Sequence, residues 1–455
     1  MKKAEDFSSG RLLSKIIIFT IPLILTNLMQ QMYAIIDQVI AGRFSGSMTL
    51  AAIGATSHVS SLLTNVVIGV SVGVSAVIAQ MVGERDKHSV ARSVHTSMAL
   101  SIIFGLSVGI FGVLFSRDLL ALIDTPADII NSSDSYMRII FGGMIFPMIY
   151  NFGGAVLRAK GDTKRPLIIL AISGAIKTSL TLFFVVGLNL SVRAIATATI
   201  ISQAVSAILV FYCLLFEEAE YKLYIRKIKI HGAELKRILV MGIPIGIQSS
   251  MFSVSNVVIQ SSINSFGAIA VAGSSAANNV NSLLYAVLNS MSHTSTIVCG
   301  QNFGAKKLNR VLSSLLLCCG LVISVGLVLG GLCFIFSKEI VGLFVNESEA
   351  IFYGMQITKV ITITYWLNGL METVSGGLRA INKSSYAMFN AVLGLCVVRI
   401  VWVYTYFASH RALDILYYSY PISWIVSLTL HTTMFVWFFK KLNNATVLAQ
   451  EKLTT

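Results

Sequence analysis

Twelve apolar segments, each long enough to cross a lipid bilayer, restrict the fold of this chain more than any other feature. A helix needs about 20 mainly apolar residues to span roughly 30 Å of hydrocarbon. The chain has 455 residues, of which 55% are hydrophobic and 12% are charged, and a soluble protein of this length buries less apolar surface than that. We therefore predict an all-α integral membrane protein. The twelve predicted transmembrane helices lie at about 14–42, 50–82, 91–115, 136–158, 166–188, 194–216, 237–264, 270–302, 311–336, 355–379, 386–407 and 415–439.

The basic residues mark one side of the membrane. Lys and Arg number 34 against 20 Asp and Glu, and an excess of that size could also indicate a nucleic-acid surface. However, 25 of the 34 lie at the N-terminus or in the segments 83–92, 158–165, 217–237, 304–310, 379–385 and 440–455. These segments are alternate loops of the predicted topology and therefore lie on the same side of the membrane, which follows the positive-inside rule. We predict a multi-pass protein of the bacterial plasma (inner) membrane, with both termini in the cytoplasm, lipid as its surroundings and no nucleic-acid partner.

The sequence contains an internal repeat. The stretch "LAAIGATSHVSSLL" to "IAQMVGERDKHSV" (50–90) recurs as "VAGSSAANNVNSLL" to "VCGQNFGAKKLNRV" (271–311) at an offset of 221. "GAVLRAKGD" (154–162) recurs as "GGLRAINKS" (376–384), where the shared Leu-Arg-Ala at 157–159 and 378–380 has the same offset. "IPLIL" (21–25) matches "IPIGI" (243–247) with one residue of slippage, which pairs Pro22 with Pro244. The repeat predicts two pseudo-symmetric six-helix bundles, residues 1–216 and 237–455, joined by a cytoplasmic linker at 217–236. Two copies inserted in the same orientation leave a cleft between them, which is where transporters of this design bind substrate.

The motifs resemble a known transporter family. The run "IPLILTNLMQQMYAIIDQVIAGRFSG", the pair "AQMVGERDK" and "GQNFGAKK", and "LRAKGDTKRP" are similar to the multidrug and toxic compound extrusion (MATE) transporters, nearest their bacterial DinF-type branch. The resemblance covers essentially the whole chain. It implies a secondary active multidrug exporter that exchanges a cation for an organic compound.

Four ionisable residues lie deep inside predicted spans: Asp37, Lys177, Glu372 and Arg399. A charge at the centre of a membrane helix costs roughly 2.5 to 3.5 kcal/mol even on the lower scales, so each needs a partner or a cavity. Each half of the repeat contains one acid and one base. One interpretation is two structural ion pairs, Asp37 with Lys177 and Glu372 with Arg399. The other is a carboxylate that exchanges a proton or a cation for substrate.

Polar side chains at helical spacing predict a hydrated cleft. Residues 26, 30, 33 and 37 are spaced 4, 3 and 4 apart and share one face of the first span, and similar stripes follow the fifth, seventh and tenth spans. The aromatic side chains could form cation–π contacts with a substrate. The predicted substrate-binding residues are Gln30, Tyr33, Tyr150, Asn151, Ser253, Asn256, Gln260, Tyr365 and Asn368.

The resemblance also bears on the coupled ion. The acid of the family's first span matches Asp37, and the fifth-span position that often carries an acidic partner is Thr181 here, one turn after Lys177. A sodium site needs several oxygen ligands and is disfavoured beside a lysine. We predict ion coupling through Asp37, Lys177, Thr181, Glu372 and Arg399, with H⁺ preferred over Na⁺, and leave open which acid carries the ion.

The predicted activity is export of small organic, cationic or amphiphilic compounds by alternating access, by a monomer without a cofactor or a bound metal. A flippase for lipid-linked saccharides and a channel are the alternatives. A flippase cleft should be more basic, and a channel cannot move its substrate uphill. The sequence contains no HExxH, GxSxG or GxxxxGK[ST] motif, so we do not expect an enzyme.

Overall fold

The computed structural model describes the backbone of residues 5–188, 190, 192–217 and 219–454, and the side chains of these residues except 47, 57–59, 62, 219 and 446–454. Within these ranges the chain is helical and contains no strand. The first half comprises α1 (Leu12–Phe44), α2 (Ser47–Glu84), α3 (Lys87–Leu122), α4 (Ala127–Gly142), α5 (Ile145–Lys160), α6 (Lys164–Leu182) with a π-helical end (Phe183–Gly187), and α7 (Val192–Leu215). Two 3₁₀ turns, Ala219–Tyr221 and Ile225–Lys227, lie in the predicted linker.

The second half has the same order of spans, although its helices are interrupted at different places. It comprises α8 (Gly232–Asn264), α9 (Ala268–Gly304), α10 (Leu308–Ile335), α11 (Ser337–Gly342), α12 (Ser348–Ala380), α13 (Ser384–Ala391), a π-helix (Val392–Val397), α14 (Val398–Trp402), a second π-helix (Val403–Phe407) and α15 (Leu413–Thr454).

Every predicted span coincides with one helix or one run of helices. In the described part of the chain, nine helices are long and apolar enough to cross a membrane, and the pair α4 and α5, bent by 46°, makes a tenth. The remaining two spans are α9 and α12, which are 37 and 33 residues long but more polar. Polar residues are tolerated in these two spans because both helices are largely buried against other helices, which keeps the polar side chains away from lipid.

Helix α9 illustrates how a polar segment is accommodated. The hydroxyls of Ser290, Thr294 and Thr296 each donate to the backbone carbonyl four residues earlier. These side chains are at most 1% exposed. Because each buried hydroxyl has an acceptor on its own helix, burying it costs little.

The repeat is visible in the backbone. Six of the eight residues with a positive φ in the described part of the chain form pairs separated by 221 positions, immediately before α2 and α9 and just after α2, α9, α5 and α12. Hydrogen bonds repeat as well, from the amide of residue 162 to the carbonyl of 157 (3.0 Å) and from 383 to 378 (2.9 Å). The paired residues are Gly46 with Gly267, Arg85 with Lys306, and Gly161 with Asn382.

The chain forms two compact units. Unit 1 contains the residues up to Asp6 and Ile21–Ser250, and unit 2 contains Phe7–Thr20 and the residues from Met251 onward. The first part of α1 therefore belongs to unit 2, where the hydroxyls of Thr20 and Thr294 are 3.0 Å apart. The predicted division at 217–236 follows the repeat in the sequence and stays a prediction.

The first part of α8 belongs to unit 1 because glycines let it lie directly against α2. A Cβ atom added at Gly69 would lie 2.2 Å from the backbone nitrogen of Gly246, and one added at Gly73 would lie 2.6 Å from the Cα of Gly242. No larger residue fits at such a distance. Small residues at this spacing are a common means of close helix packing in membranes.

Candidate substrate and ion-coupling site

Helices α1 and α6 of unit 1 meet at Tyr33 and Gly174. A Cβ atom added at Gly174 would lie 1.8 Å from Cζ of Tyr33, so the tyrosine ring occupies the space that a side chain would fill. The next turn of α1 carries Asp37, and Lys177 follows three residues after the glycine on α6. The absence of a side chain at Gly174 therefore lets the two helices bring their charged residues together.

The predicted contact between Asp37 and Lys177 is confirmed. Lys177 Nζ lies 2.5 Å from Asp37 Oδ2, and both side chains are 15% exposed. The pair is thus accessible at one edge while most of each charged group is removed from solvent. A salt bridge in this position neutralises two charges that would each be costly inside a membrane.

Four predicted substrate residues and Lys177 line one cavity of about 190 Å³ in unit 1. Drug-sized ligands usually occupy sites of about 300 to 1,000 Å³, so this cavity fits one ring or one cationic head of a larger compound. The Tyr150 hydroxyl donates to the carbonyl of Pro166 at 3.2 Å, and the Asn151 amide donates to the carbonyl of Pro147 at 2.9 Å. The four predicted residues in the lining are Gln30, Tyr33, Tyr150 and Asn151.

Helix α7 contributes a wall that was not predicted from the sequence. Thr199, Ser202, Gln203 and Ser206 line the same cavity. Their spacing of three and four residues on the sixth span is the signal that could have predicted this polar face, although the stripe carries no charge. Gln203 Oε1 is buried and has no hydrogen-bond partner among the described residues, so it is available to accept from a ligand.

Thr181, the predicted fifth-span coupling position, is fully buried. It lies one turn after Lys177 on α6 and does not line the cavity. Its hydroxyl has no partner within the described residues. A role for Thr181 in ion coupling stays a prediction.

In unit 2 the predicted pairing of Glu372 with Arg399 is wrong. Glu372 Oε2 lies 3.5 Å from Arg379 Nη2, and Arg379 also donates to Ser292 Oγ at 3.3 Å. Glu372 and Arg379 are seven residues apart on α12, which is two helical turns, so they share a face and their long side chains meet along the helix. The prediction paired charges between different helices and overlooked this partner on the same one.

Arg399 instead lies among aromatic and amide side chains. Its Cζ atom is 4.1 Å from the centre of the Tyr420 ring and 5.5 Å from that of Phe252. Its Nε donates to Ser423 Oγ at 3.0 Å and its Nη1 donates to Asn256 Oδ1 at 3.4 Å. The side chain is 1% exposed.

The other predicted residues of unit 2 have different surroundings. Tyr365 is buried, donates to the carbonyl of Asn281 at 3.2 Å and packs edge to face on Trp424. Gln260 bonds Asn264 one turn further along α8, while Asn368 is buried and Ser253 is half-buried. No group of three or more His, Cys, Asp or Glu side chains that could hold a metal ion occurs in the part of the chain that the structure describes.

A membrane protein built from twelve spanning segments in two repeats, with an ion pair at the edge of a polar and aromatic cavity, belongs to the class of secondary transporters. The model of the MatE family matches residues 22–183 and 244–405 of the chain. The chain therefore belongs to this family, the MATE multidrug efflux transporters. The double match begins at Pro22 and at Pro244 and confirms the internal repeat.

Known proteins agree with this assignment. The chain is 28% identical to a probable multidrug resistance protein, YpnP, of Bacillus subtilis over 87% of this chain and 89% of that protein. It is 22% identical to an FAD transporter of Shewanella oneidensis over 77% and 78% of the two chains. An outward-facing MATE transporter of the MOP superfamily shares the fold, with a TM-score of 0.90 at 20% identity over 98% of this chain and 100% of that chain. The predicted fold of twelve helices in two bundles is confirmed.

Proposed function

We propose that the chain exports organic cations in exchange for protons, and that the exchange takes place at the cavity of unit 1. The observation that carries this proposal is the contact between Asp37 and Lys177 beside a cavity that Lys177 itself lines. The partnerless Gln203 Oε1 supplies an acceptor for a cationic head. The rings of Tyr33 and Tyr150 supply cation–π surfaces.

Protonation of Asp37 changes the charge of this site. While Asp37 is ionised, the pair is neutral and a cationic substrate meets little repulsion. Once Asp37 is protonated, the Lys177 ammonium is uncompensated. At an effective dielectric constant of about 20, a cation roughly 6 Å from that ammonium is repelled by about 3 kcal/mol, which is a factor of about 100 in affinity.

Mutually exclusive binding of a proton and a cation is the basis of antiport. A proton that enters from outside would expel the substrate there, and release of that proton to the cytoplasm would restore the neutral pair for the next substrate. The proton and the substrate shift the balance between the two access states only through this difference in affinity. Sodium is the weaker candidate, because the Lys177 ammonium already occupies the carboxylate that sodium would need.

The proposal also covers the location of the protein, its oligomeric state and the class of transport. The distribution of basic residues supports a bacterial plasma membrane location with both termini in the cytoplasm. The pair of repeats in one chain supports function as a monomer. The names of several relatives, which are probable multidrug resistance proteins, favour multidrug export over the flippase and channel alternatives.

The test is transport by purified protein in liposomes, with ethidium as the cationic dye. A pH gradient and a sodium gradient are applied separately, and dye accumulation against its own gradient is measured. We expect uphill accumulation with the pH gradient alone. Accumulation driven by sodium alone would refute proton coupling, and mere equilibration of the dye under both gradients would refute antiport.

A further inference from the structure

Arg399 of unit 2 is a buried cation that forms no salt bridge with any carboxylate in the described part of the chain. It is 1% exposed, and no Asp or Glu oxygen lies within 4.0 Å of its guanidinium among the described residues. Glu372, the acid that the sequence suggested as its partner, is bound to Arg379 instead. Arginine stays protonated at any physiological pH, so this site holds a permanent positive charge.

The contacts of Arg399 satisfy only part of its guanidinium. Ser423 and Asn256 accept from Nε and Nη1, and the Tyr420 ring lies over its face. Nη2 is buried without a hydrogen-bond partner in the described structure. A cation–π contact offsets part of the cost of burying the charge, but it does not satisfy the N–H donors, which lie in the plane of the guanidinium.

A second unsatisfied donor lies in the same aromatic cluster. Trp424 is 2% exposed, and its Nε1 has no partner among the residues described. Its ring packs edge to face against Tyr420, with centroids 5.9 Å apart, and Tyr420 is the residue that covers Arg399. The indole N–H is a donor only, so this atom and Arg399 Nη2 both need an acceptor.

The helix that carries Arg399 is irregular on both sides. The five residues of α14 are regular, whereas Val392–Val397 before them and Val403–Phe407 after them are π-helical. Interruptions of this kind are frequent at functional sites. Three contacts of Arg399, namely Phe252, Asn256 and Tyr420, are only half-buried, so the guanidinium lies close below the surface of unit 2.

We propose that Arg399 and Trp424 form a site for the anionic group of an aromatic acid, separate from the cavity of unit 1. A carboxylate or another oxyanion accepts hydrogen bonds and donates none, which matches two donors without acceptors. Its negative charge balances the guanidinium, and an attached ring packs against Tyr420 and Phe252. The site extends the compounds recognised by the chain from cations to aromatic anions and zwitterions.

Calorimetric titration of the purified protein in lipid nanodiscs tests this site with two probes that share the naphthalene ring and differ in the polar group attached to it, which is an anionic carboxylate in one and a neutral hydroxymethyl group in the other. We expect 1-naphthoate to bind at least about tenfold more tightly than 1-naphthalenemethanol, since one charge-assisted hydrogen bond accounts for a factor of that size. Arg399→Gln should abolish the difference, and Arg399→Lys should reduce it. The exposed Arg411, changed to Gln, serves as the matched control and should leave it unchanged. Equal binding of 1-naphthoate to Arg399→Gln and to the unmodified protein would overturn the proposal.

A second variant decides the matter if Arg399→Gln does not fold. Trp424→Phe keeps an aromatic ring but removes the N–H donor. It should weaken the binding of 1-naphthoate severalfold and leave the binding of 1-naphthalenemethanol unchanged. An unchanged affinity for 1-naphthoate would overturn the proposal. Competition with sodium sulfate distinguishes between two kinds of anionic ligand, a free inorganic oxyanion and an organic acid. Competition by sulfate at the same residues supports a free inorganic oxyanion as occupant, and binding of 1-naphthoate without such competition supports an organic acid.

Discussion

The Glu372 carboxylate lies 3.5 Å from the guanidinium of Arg379, two turns further along the same helix. In unit 1 the corresponding neutralisation links two helices, since Asp37 is on α1 and Lys177 is on α6. A movement of α1 against α6 would separate Asp37 from Lys177. Movement of α12 as a rigid body would leave Glu372 and Arg379 together, because both lie on that helix. We therefore expect protonation of Asp37, rather than of Glu372, to be linked to the arrangement of helices, and we infer that Asp37 is the ion carrier in the proposed exchange.

Glu372→Gln should therefore spare coupling. The amide keeps an acceptor for Arg379 but removes the charge, so we expect a lower melting temperature, because a buried arginine loses its counter-charge. Ethidium export driven by a pH gradient should persist in the folded fraction. Loss of proton-driven export at normal abundance and stability would transfer the coupling role to Glu372.

Asp37→Asn should abolish gradient-driven export and leave the protein folded in the membrane. Asparagine cannot release a proton or carry a negative charge, yet it nearly keeps the shape of the protonated acid. The site is then held in its cation-repelling state. Transport is measured in liposomes as above, and thermal stability is measured alongside it.

A stability control is needed because the variant leaves Lys177 without its partner. Breaking a buried pair costs roughly 3 to 5 kcal/mol, and partial exposure of both side chains lowers the cost here. The double variant with Asp37→Asn and Lys177→Gln removes the stranded charge and should regain stability without regaining transport. A stable Asp37→Asn protein that still concentrates dye would exclude Asp37 from the mechanism.

The sequence predicted the class of fold and the position of the twelve spans because bilayer thickness and the repeat determine both. It also predicted the contact of Asp37 with Lys177, since a charge at that depth needs a partner. It did not predict the partner of Glu372, because a charge can be neutralised along one helix or across two, and spacing alone does not choose between them. The packing of Tyr33 over Gly174 was not predictable either, as it depends on which face α6 turns to α1.

Gly174→Ala should disturb the cavity of unit 1 without changing any charge. The added methyl group would overlap the Tyr33 ring, which must shift and move α1 away from α6. We expect weaker ethidium binding and a loss of stability of about 1 to 3 kcal/mol, as for other overpacked sites. Gly320→Ala in α10 is the matched control, because a Cβ atom there has no neighbour within 4 Å. Equal affinities for the two variants would show that the close approach of Tyr33 and Gly174 does not shape the site.

Outside the membrane spans, Glu217 should make stability depend on pH. Its carboxylate is buried and binds Lys160 Nζ and Arg165 Nη1, each at 2.5 Å. It therefore connects the linker to the end of α5 and the start of α6 within unit 1. Burial alone would raise the pKa of Glu217, but the hydrogen bonds and charges of Lys160 and Arg165 outweigh it and hold the pKa below its ordinary value.

The sign of the effect follows from that lowered pKa. A group with a lower pKa in the folded state stabilises the fold fully above its unfolded pKa, about 4.3 for glutamate, and loses this contribution as pH falls through the folded value. Glu217→Gln should therefore lower the free energy of unfolding at pH 7 by about 3 kcal/mol, and the difference from the unmodified protein should shrink as pH falls below about 4.3.

Thermal unfolding in detergent between pH 3 and 7 measures both effects. The exposed Glu84, changed to Gln, is the control and should alter neither quantity. A difference between Glu217→Gln and the unmodified protein that stays constant over this range would mean that the ionised form of Glu217 does not hold the linker in place.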